Sequence, residues 1–104
     1  MEKVLIDKFV VPEESKALFL EAVRESAEFL RTLPGFVEGF VHKKTDGASR
    51  NNILTTAVWA SEEAFENAKK AAVAEFQRRG FRPQEIMARL GVEMERSVYE
   101  RSAY

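Results

Sequence analysis

Asp7 is a carboxylate in the middle of a β-branched and aromatic run, Val4 to Val11. A buried charge without a partner is costly, so Asp7 must be paired, protonated or facing a wet pocket. In a pocket it would act as a general base or as an acceptor that orients a donor. The alternative is an ion pair within the sheet, for which Arg96 is available. His42 is the only imidazole in the chain. It could take a proton near neutral pH, or lie at the surface or in a subunit contact. Arg79 offers a fork of donors to a carbonyl or an oxyanion, although a cation at a helix C-terminus accounts for it equally. Trp59 could stack on a flat aromatic ligand or plug the corner between a strand and a helix. Tyr99 carries a phenol that could serve the same pocket or sit with its hydroxyl at a rim.

These residues must be placed by few elements, because 104 residues with 45% hydrophobic content make one domain, 1–104. Val4 to Val11 reads as a strand. Pro12-Glu13-Glu14 is a helix start, with two carboxylates beside the positive end of the dipole. Phe19, Val23, Ala27 and Leu30 then recur at three or four residues, giving an amphipathic helix that Pro34-Gly35 ends. Phe36 to Lys44 alternates as a strand, placing Phe36, Glu38, Phe40 and His42 on one face. Thr45 to Asn51 is turn chemistry, so a hairpin leads into a strand from Asn52 that ends at Trp59-Ala60. Ser61 is the N-cap of a second helix, whose stripe runs Ala64, Phe65, Ala68, Ala72 and Phe76. Arg78-Arg79-Gly80 closes it. Pro83 to Leu90 predicts a short third helix, and Val92 to Arg101 a last strand.

The order is β-α-β, hairpin, β-α-β. Right-handed crossovers then give an α+β, ferredoxin-like β-α-β-β-α-β fold: a four-stranded antiparallel sheet with helices on one face. The first strand is apolar on both parities (Val4, Ile6 and Val10 against Leu5, Phe9 and Val11), which leaves an apolar patch on the helix-free face. Pairing of that face with a second copy resolves it, and a homodimer is expected.

The residue types bound the function further. Sixteen basic and 17 acidic residues leave no basic excess for nucleic acid. With no cysteine there is neither disulfide nor thiolate metal site, and no His/Asp/Glu cluster has metal-ligand spacing. No apolar run reaches the roughly 20 residues needed to span a bilayer, and Met1-Glu2-Lys3 runs straight into a strand without a leader. A cytoplasmic protein without a metal, a membrane partner or a nucleic-acid partner is expected.

The opening strand followed by VPEE, the LPGF junction, the VWASEEAF junction and the closing strand resemble the antibiotic biosynthesis monooxygenase (ABM) family of dimeric α/β barrels. The resemblance covers essentially the whole chain. It implies a ligand pocket between sheet and helices and cofactor-independent oxidation of a small quinol-like or polycyclic aromatic. The quinone-forming members use an Asn, a Trp, a Tyr and an Arg, which correspond to Thr55, Trp59, Phe65 and Arg79 here. Trp and Arg are kept; Thr55 lacks the amide and Phe65 lacks the hydroxyl. The haem-degrading branch needs an Asn, a Trp and a His where this chain has Asp7, Ala68 and Arg78 to Gly80, which disfavours haem chemistry. The resulting expectation is a monooxygenase with Asp7, Arg79 and His42 as catalytic candidates and Thr55, Trp59, Phe65, Phe76 and Tyr99 around the substrate. The alternative is a non-catalytic aromatic-ligand binder of the same fold.

Overall fold

The structure, a computed structural model, describes residues 1–103. In chain order the elements are β1 (Lys3–Val10), α1 (Lys16–Leu30), β2 (Phe36–Lys43), β3 (Ile53–Trp59), α2 (Glu62–Arg79), α3 (Pro83–Leu90) and β4 (Glu93–Glu100). The sheet order is β2-β3-β1-β4, antiparallel throughout, which is the expected ferredoxin-like arrangement. Predicted and observed strand ends differ by one residue at most positions. The first helix is the exception: Glu13–Ser15 forms a 3-10 turn, and the α-helix begins only at Lys16. Ser15 is buried there and its hydroxyl donates to the Leu90 carbonyl at 2.7 Å, tying the start of α1 to the end of α3.

The caps on α2 follow from sequence. Ser61 Oγ accepts from the Ala64 amide at 3.1 Å, Glu62 and Glu63 occupy the first turn, and Arg78 and Arg79 the last. Gly80 at φ 67° ends the helix in the left-handed region. Gly35, at φ 83°, admits the chain to β2 where a Cβ would overlap the Ala64 side chain. Its carbonyl accepts from the Ala60 amide at 2.8 Å, locking the two junctions together.

One face assignment changes. A β-bulge between Phe36 and Glu38 shifts the register, so Phe36 pairs with Trp59 and Glu38 with Val58. Simple alternation would put Phe36 beside Phe40 and His42. The extra residue instead rotates it to the helix side, where it packs in the core.

The core on that side has two parts. Phe9, Val11, Phe19 and Ile53 form one cluster with Leu20, Val23, Met87, Leu90 and Val92 packed against it. Trp59, Phe65 and Ala68 form the other, backed by Leu5, Leu30, Leu33 and Phe36. The Phe9 and Phe19 rings meet edge-on, centroids 4.8 Å apart, a contact that adds roughly 1 kcal/mol to the area term.

Candidate functional site

Asp7 lies between the two apolar clusters. On β1 it alternates with Leu5 and Phe9, each a member of one cluster, so its side chain points to the helix side. It is 7% exposed. The carboxylate is held by Arg96 from β4 through two parallel bonds, Nε to Oδ1 at 2.8 Å and Nη2 to Oδ2 at 3.0 Å. In register, Asp7 faces Arg96 on one side and Thr55 on the other. The hydrogen bonds it donates to Asp7 hold the Arg96 guanidinium above the usual arginine value, against the opposing effect of its burial. The ion-pair alternative for Asp7 is therefore present, and it creates a polar band across an otherwise apolar interface.

Trp59 is 2% exposed and its ring meets Phe36 edge-on, with centroids 5.4 Å apart. It fills the corner at the end of β3. Phe65 is buried beside it in the same cluster, with the Lys69 ammonium 4.9 Å from its ring centroid. Thr55, Trp59, Phe65 and Asp7 thus share the helix side of the sheet.

Arg79 and Phe76 are elsewhere. Arg79 comes fourteen residues after Phe65, about 21 Å further along α2 at 1.5 Å per residue. Its guanidinium lies 5.8 Å from the centroids of both Phe76 and Phe81 and pairs with Glu75 at 3.4 Å. Arg79 and Phe81 border an open cleft of about 380 Å³ that Glu25, Arg82, Glu85 and Arg89 also line, among others. None of its lining residues is Asp7, Thr55, Trp59 or Phe65. The cleft opens among α1, α3 and the end of α2 rather than between sheet and helices.

His42 and Tyr99 are on the opposite side of the sheet. His42 pairs in register with Leu54, and Tyr99 with Val4. Tyr99 is 52% exposed, and the His42 ring sits 6.3 Å from that of Phe40, itself 57% exposed. Neither can reach Asp7 within one chain without crossing the sheet. The eight candidates therefore divide into a helix-side group around Asp7, a pair at the far end of α2 and a pair on the helix-free face. Arg96, absent from that set, is the residue in closest contact with the central carboxylate; its place directly opposite Asp7 in the β1–β4 register was the available signal. Among the described residues, no group of three or more His, Cys, Asp or Glu is placed to hold a metal ion.

Residues 4–79 match the model of the family described as antibiotic biosynthesis monooxygenase. Several solved structures share the fold. A cofactor-independent oxygenase from Streptomyces nogalater, SnoaB, superposes with a TM-score of 0.71 at 23% identity, covering 99% of this chain and 95% of that one. A candidate monooxygenase from Shewanella loihica PV-4 gives 0.74 at 20% identity, with coverage of 99% and 96%. The haem-degrading protein Rv3592 of Mycobacterium tuberculosis gives 0.59 at 22% identity, with coverage of only 66% and 78%. No curated protein matches the sequence significantly.

Proposed function

Because the chain belongs to the antibiotic biosynthesis monooxygenase family, we propose that it is a cofactor-independent monooxygenase acting on a small quinol-like or polycyclic aromatic. The observation that carries this reading is the Asp7 carboxylate set between two aromatic-rich clusters, with the Thr55 hydroxyl and the Arg96 guanidinium in register beside it. A flat apolar ligand on the helix side would find apolar walls on both flanks and a proton acceptor between them.

In the reaction, Asp7 accepts the proton of an activated phenol or of the enol form of an anthrone. The resulting anion transfers an electron to dioxygen, and the two radicals recombine as a carbon-bound peroxide. Cleavage of the O–O bond with loss of the geminal hydrogen leaves a quinone carbonyl and water, so that a CH₂ and O₂ become C=O and H₂O. The protein supplies a base, donors for the developing oxyanion and exclusion of water. Trp59 and Phe65 are the walls of this site, and Thr55 a donor. Arg79 and Phe76, by the α2–α3 cleft, belong to its approach.

The same reading makes the protein a cytoplasmic homodimer. Val4, Ile6, Leu54, Phe40 and Tyr99 share the helix-free face, and a second copy placed sheet against sheet would cover them. His42 and Tyr99 are then contact residues.

One observation favours the alternative of a non-catalytic aromatic binder. Both oxygens of Asp7 already accept charge-assisted bonds from Arg96, so the carboxylate is engaged before any ligand arrives. Oxygen uptake with a panel of hydroquinones and anthrones, run beside thermal-shift measurements on the same compounds, separates the two. Uptake abolished by Asp7→Asn supports the enzyme; stabilisation without uptake supports the binder.

A further inference from the structure

The helix side of the sheet continues past β1 onto the edge strand β4, and the helices leave that margin open. Met94, Arg96 and Val98 lie in register with Phe9, Asp7 and Leu5, and so point to the same side. Yet Met94 is 40% and Val98 47% exposed, whereas Phe9 is buried. The row reads apolar, cationic, apolar, beside the band that divides the core.

The ion pair in this row is asymmetric. Its side chains are 53% exposed at Arg96 and 9% at Asp7. Asp7 engages Nε and Nη2, and a guanidinium carries five N–H donors. Three therefore remain, two on Nη1 and one on Nη2. A group arriving from solvent along β4 meets the guanidinium first, because the carboxylate lies behind it. The other charge along this face of β4 does not compete: Glu100 is taken up by Lys3 at 2.9 Å. An ion pair half-withdrawn from water is weak evidence for stability, since apolar residues of similar size often serve the fold as well. Asp7 does, however, fix the plane of the fork, removing most of the ordering cost for a second planar oxyanion.

We propose that the margin formed by Met94, Arg96 and Val98 is an anion-anchoring subsite, and that the ligand carries an oxyanion on its aromatic ring, a carboxylate or a phenolate, that Arg96 binds through its remaining donors. Met94 and Val98 cover the ring on either side, and Asp7 positions the guanidinium. The inference rests on the aromatic-ligand reading above and specifies the class of ligand. It also survives dimerisation through the helix-free face, because the subsite lies on the other side of the sheet.

Calorimetric titration of the whole protein, without any turnover, tests it with two matched pairs of probes. The carboxylate arm is 2-naphthoate against uncharged 2-naphthamide. The phenolate arm is 4-nitro-1-naphthol, ionised at neutral pH, against its methyl ether. The wild type should prefer the anion by about tenfold or more in at least one arm, as a charge-assisted fork contact warrants, and the arm that responds identifies the oxyanion. Arg96→Met should bring that preference below about threefold while leaving affinity for the neutral partner within a similar factor. Since Arg96→Met strands the Asp7 charge, the double variant Asp7→Leu/Arg96→Met provides a folded counterpart that should lose the preference equally. Retention of the preference in the double variant, absence of any preference in the wild type, or failure of all four probes to bind would each overturn the proposal. Oxygen uptake on an uncharged anthrone by a protein with no anion preference would overturn this subsite and leave the monooxygenase reading standing. Anion preference without oxygen uptake would do the reverse.

Discussion

Phe36 meets Trp59 edge-on, ring centroids 5.4 Å apart and planes inclined at 75°, because a bulge turns Phe36 to the side of the sheet that Trp59 occupies. The contact closes the corner where β3 gives way to α2. Arg31 reinforces it, with its guanidinium 5.8 Å from the Phe36 ring centroid and Nη2 donating to the Gly39 carbonyl at 2.8 Å. The two rings thus join the end of α1, the start of β2 and the start of α2.

Truncating either ring should therefore destabilise the fold substantially. Trp59→Ala should cost about 3–5 kcal/mol, as large aromatic truncations in cores do, and Phe36→Ala nearly as much. Phe40→Ala, two residues past the bulge but on the opposite face, should cost the isolated chain less than about 0.5 kcal/mol. Urea unfolding of the three variants, followed at concentrations low enough to dissociate any dimer, measures this. A Phe36→Ala protein as stable as Phe40→Ala would mean that the bulge does not place Phe36 in the core.

A glycine comparison probes the same corner. Gly35→Ala and Gly80→Ala both put a Cβ on a left-handed residue, at φ 83° and 67°. At Gly80 nothing lies within 4 Å of the added atom, so the cost should be the conformational one of about 1–2 kcal/mol. At Gly35 the added atom overlaps Ala64, and the loss should be clearly larger. Equal midpoint shifts in urea would contradict the packing described for the two junctions.

How far the sequence carries can be seen at particular residues. Ser61 and Gly80 bounded α2 correctly because capping is local chemistry, written within one helical turn. The β-α-β-β-α-β order followed from the same kind of signal. Phe36 was assigned to the wrong face because a bulge adds one residue without any mark in composition. Arg96 was visible as a possible partner of Asp7, but which of its donors stay free depends on how far the helices cover β4. The separation of Arg79 from Asp7 was hidden for a similar reason: spacing along the chain says nothing about which end of a 27 Å helix, by the 1.5 Å rise, a site occupies.

Dimerisation should depend on the helix-free face alone. Phe40→Glu places a charge on a residue 57% exposed in the single chain, where only pairing of sheets would bury it. Sedimentation should show the wild type as a dimer at micromolar concentration and Phe40→Glu as monomer or unfolded chain. A folded wild-type monomer at that concentration would end the sheet-to-sheet proposal.

Acid should weaken the fold in part through two ion-paired carboxylates. Glu75 lies below its ordinary 4.5 chiefly through the hydrogen bond from Arg78, and Glu100 chiefly through that from Lys3. Each binds protons less readily folded than unfolded. Its contribution is therefore complete above about the unfolded value of 4.5 and is lost as pH falls through the depressed folded one. Glu100 is exposed and Glu75 only half-buried, so the effect is small and screened by salt. Stability measured from pH 6 down to pH 3 should fall less steeply in Glu75→Gln/Glu100→Gln than in the wild type; an unchanged slope would show that these pairs do not form in solution.

The catalytic reading turns on Asp7 and Arg79 behaving differently. Among the described residues Asp7 is the only buried carboxylate, and on the proposed mechanism it takes the substrate proton. Loss of a positioned base costs about 10²–10⁴-fold in rate, so Asp7→Asn should lower oxygen uptake by at least tenfold even if water partly replaces it. Asn preserves the size of the side chain and can still accept from Arg96, so the fold and the dimer should survive. Arg79 lies at the α2–α3 cleft, stacked near Phe76 and Phe81. Arg79→Ala should then raise KM about threefold or more by loosening the approach to the site, with kcat little changed, as expected when binding is lost equally from ground and transition states. If Arg79→Ala instead lowers kcat as far as Asp7→Asn while KM holds, the guanidinium reaches the reacting atoms and the end of α2 must close toward the sheet when substrate binds.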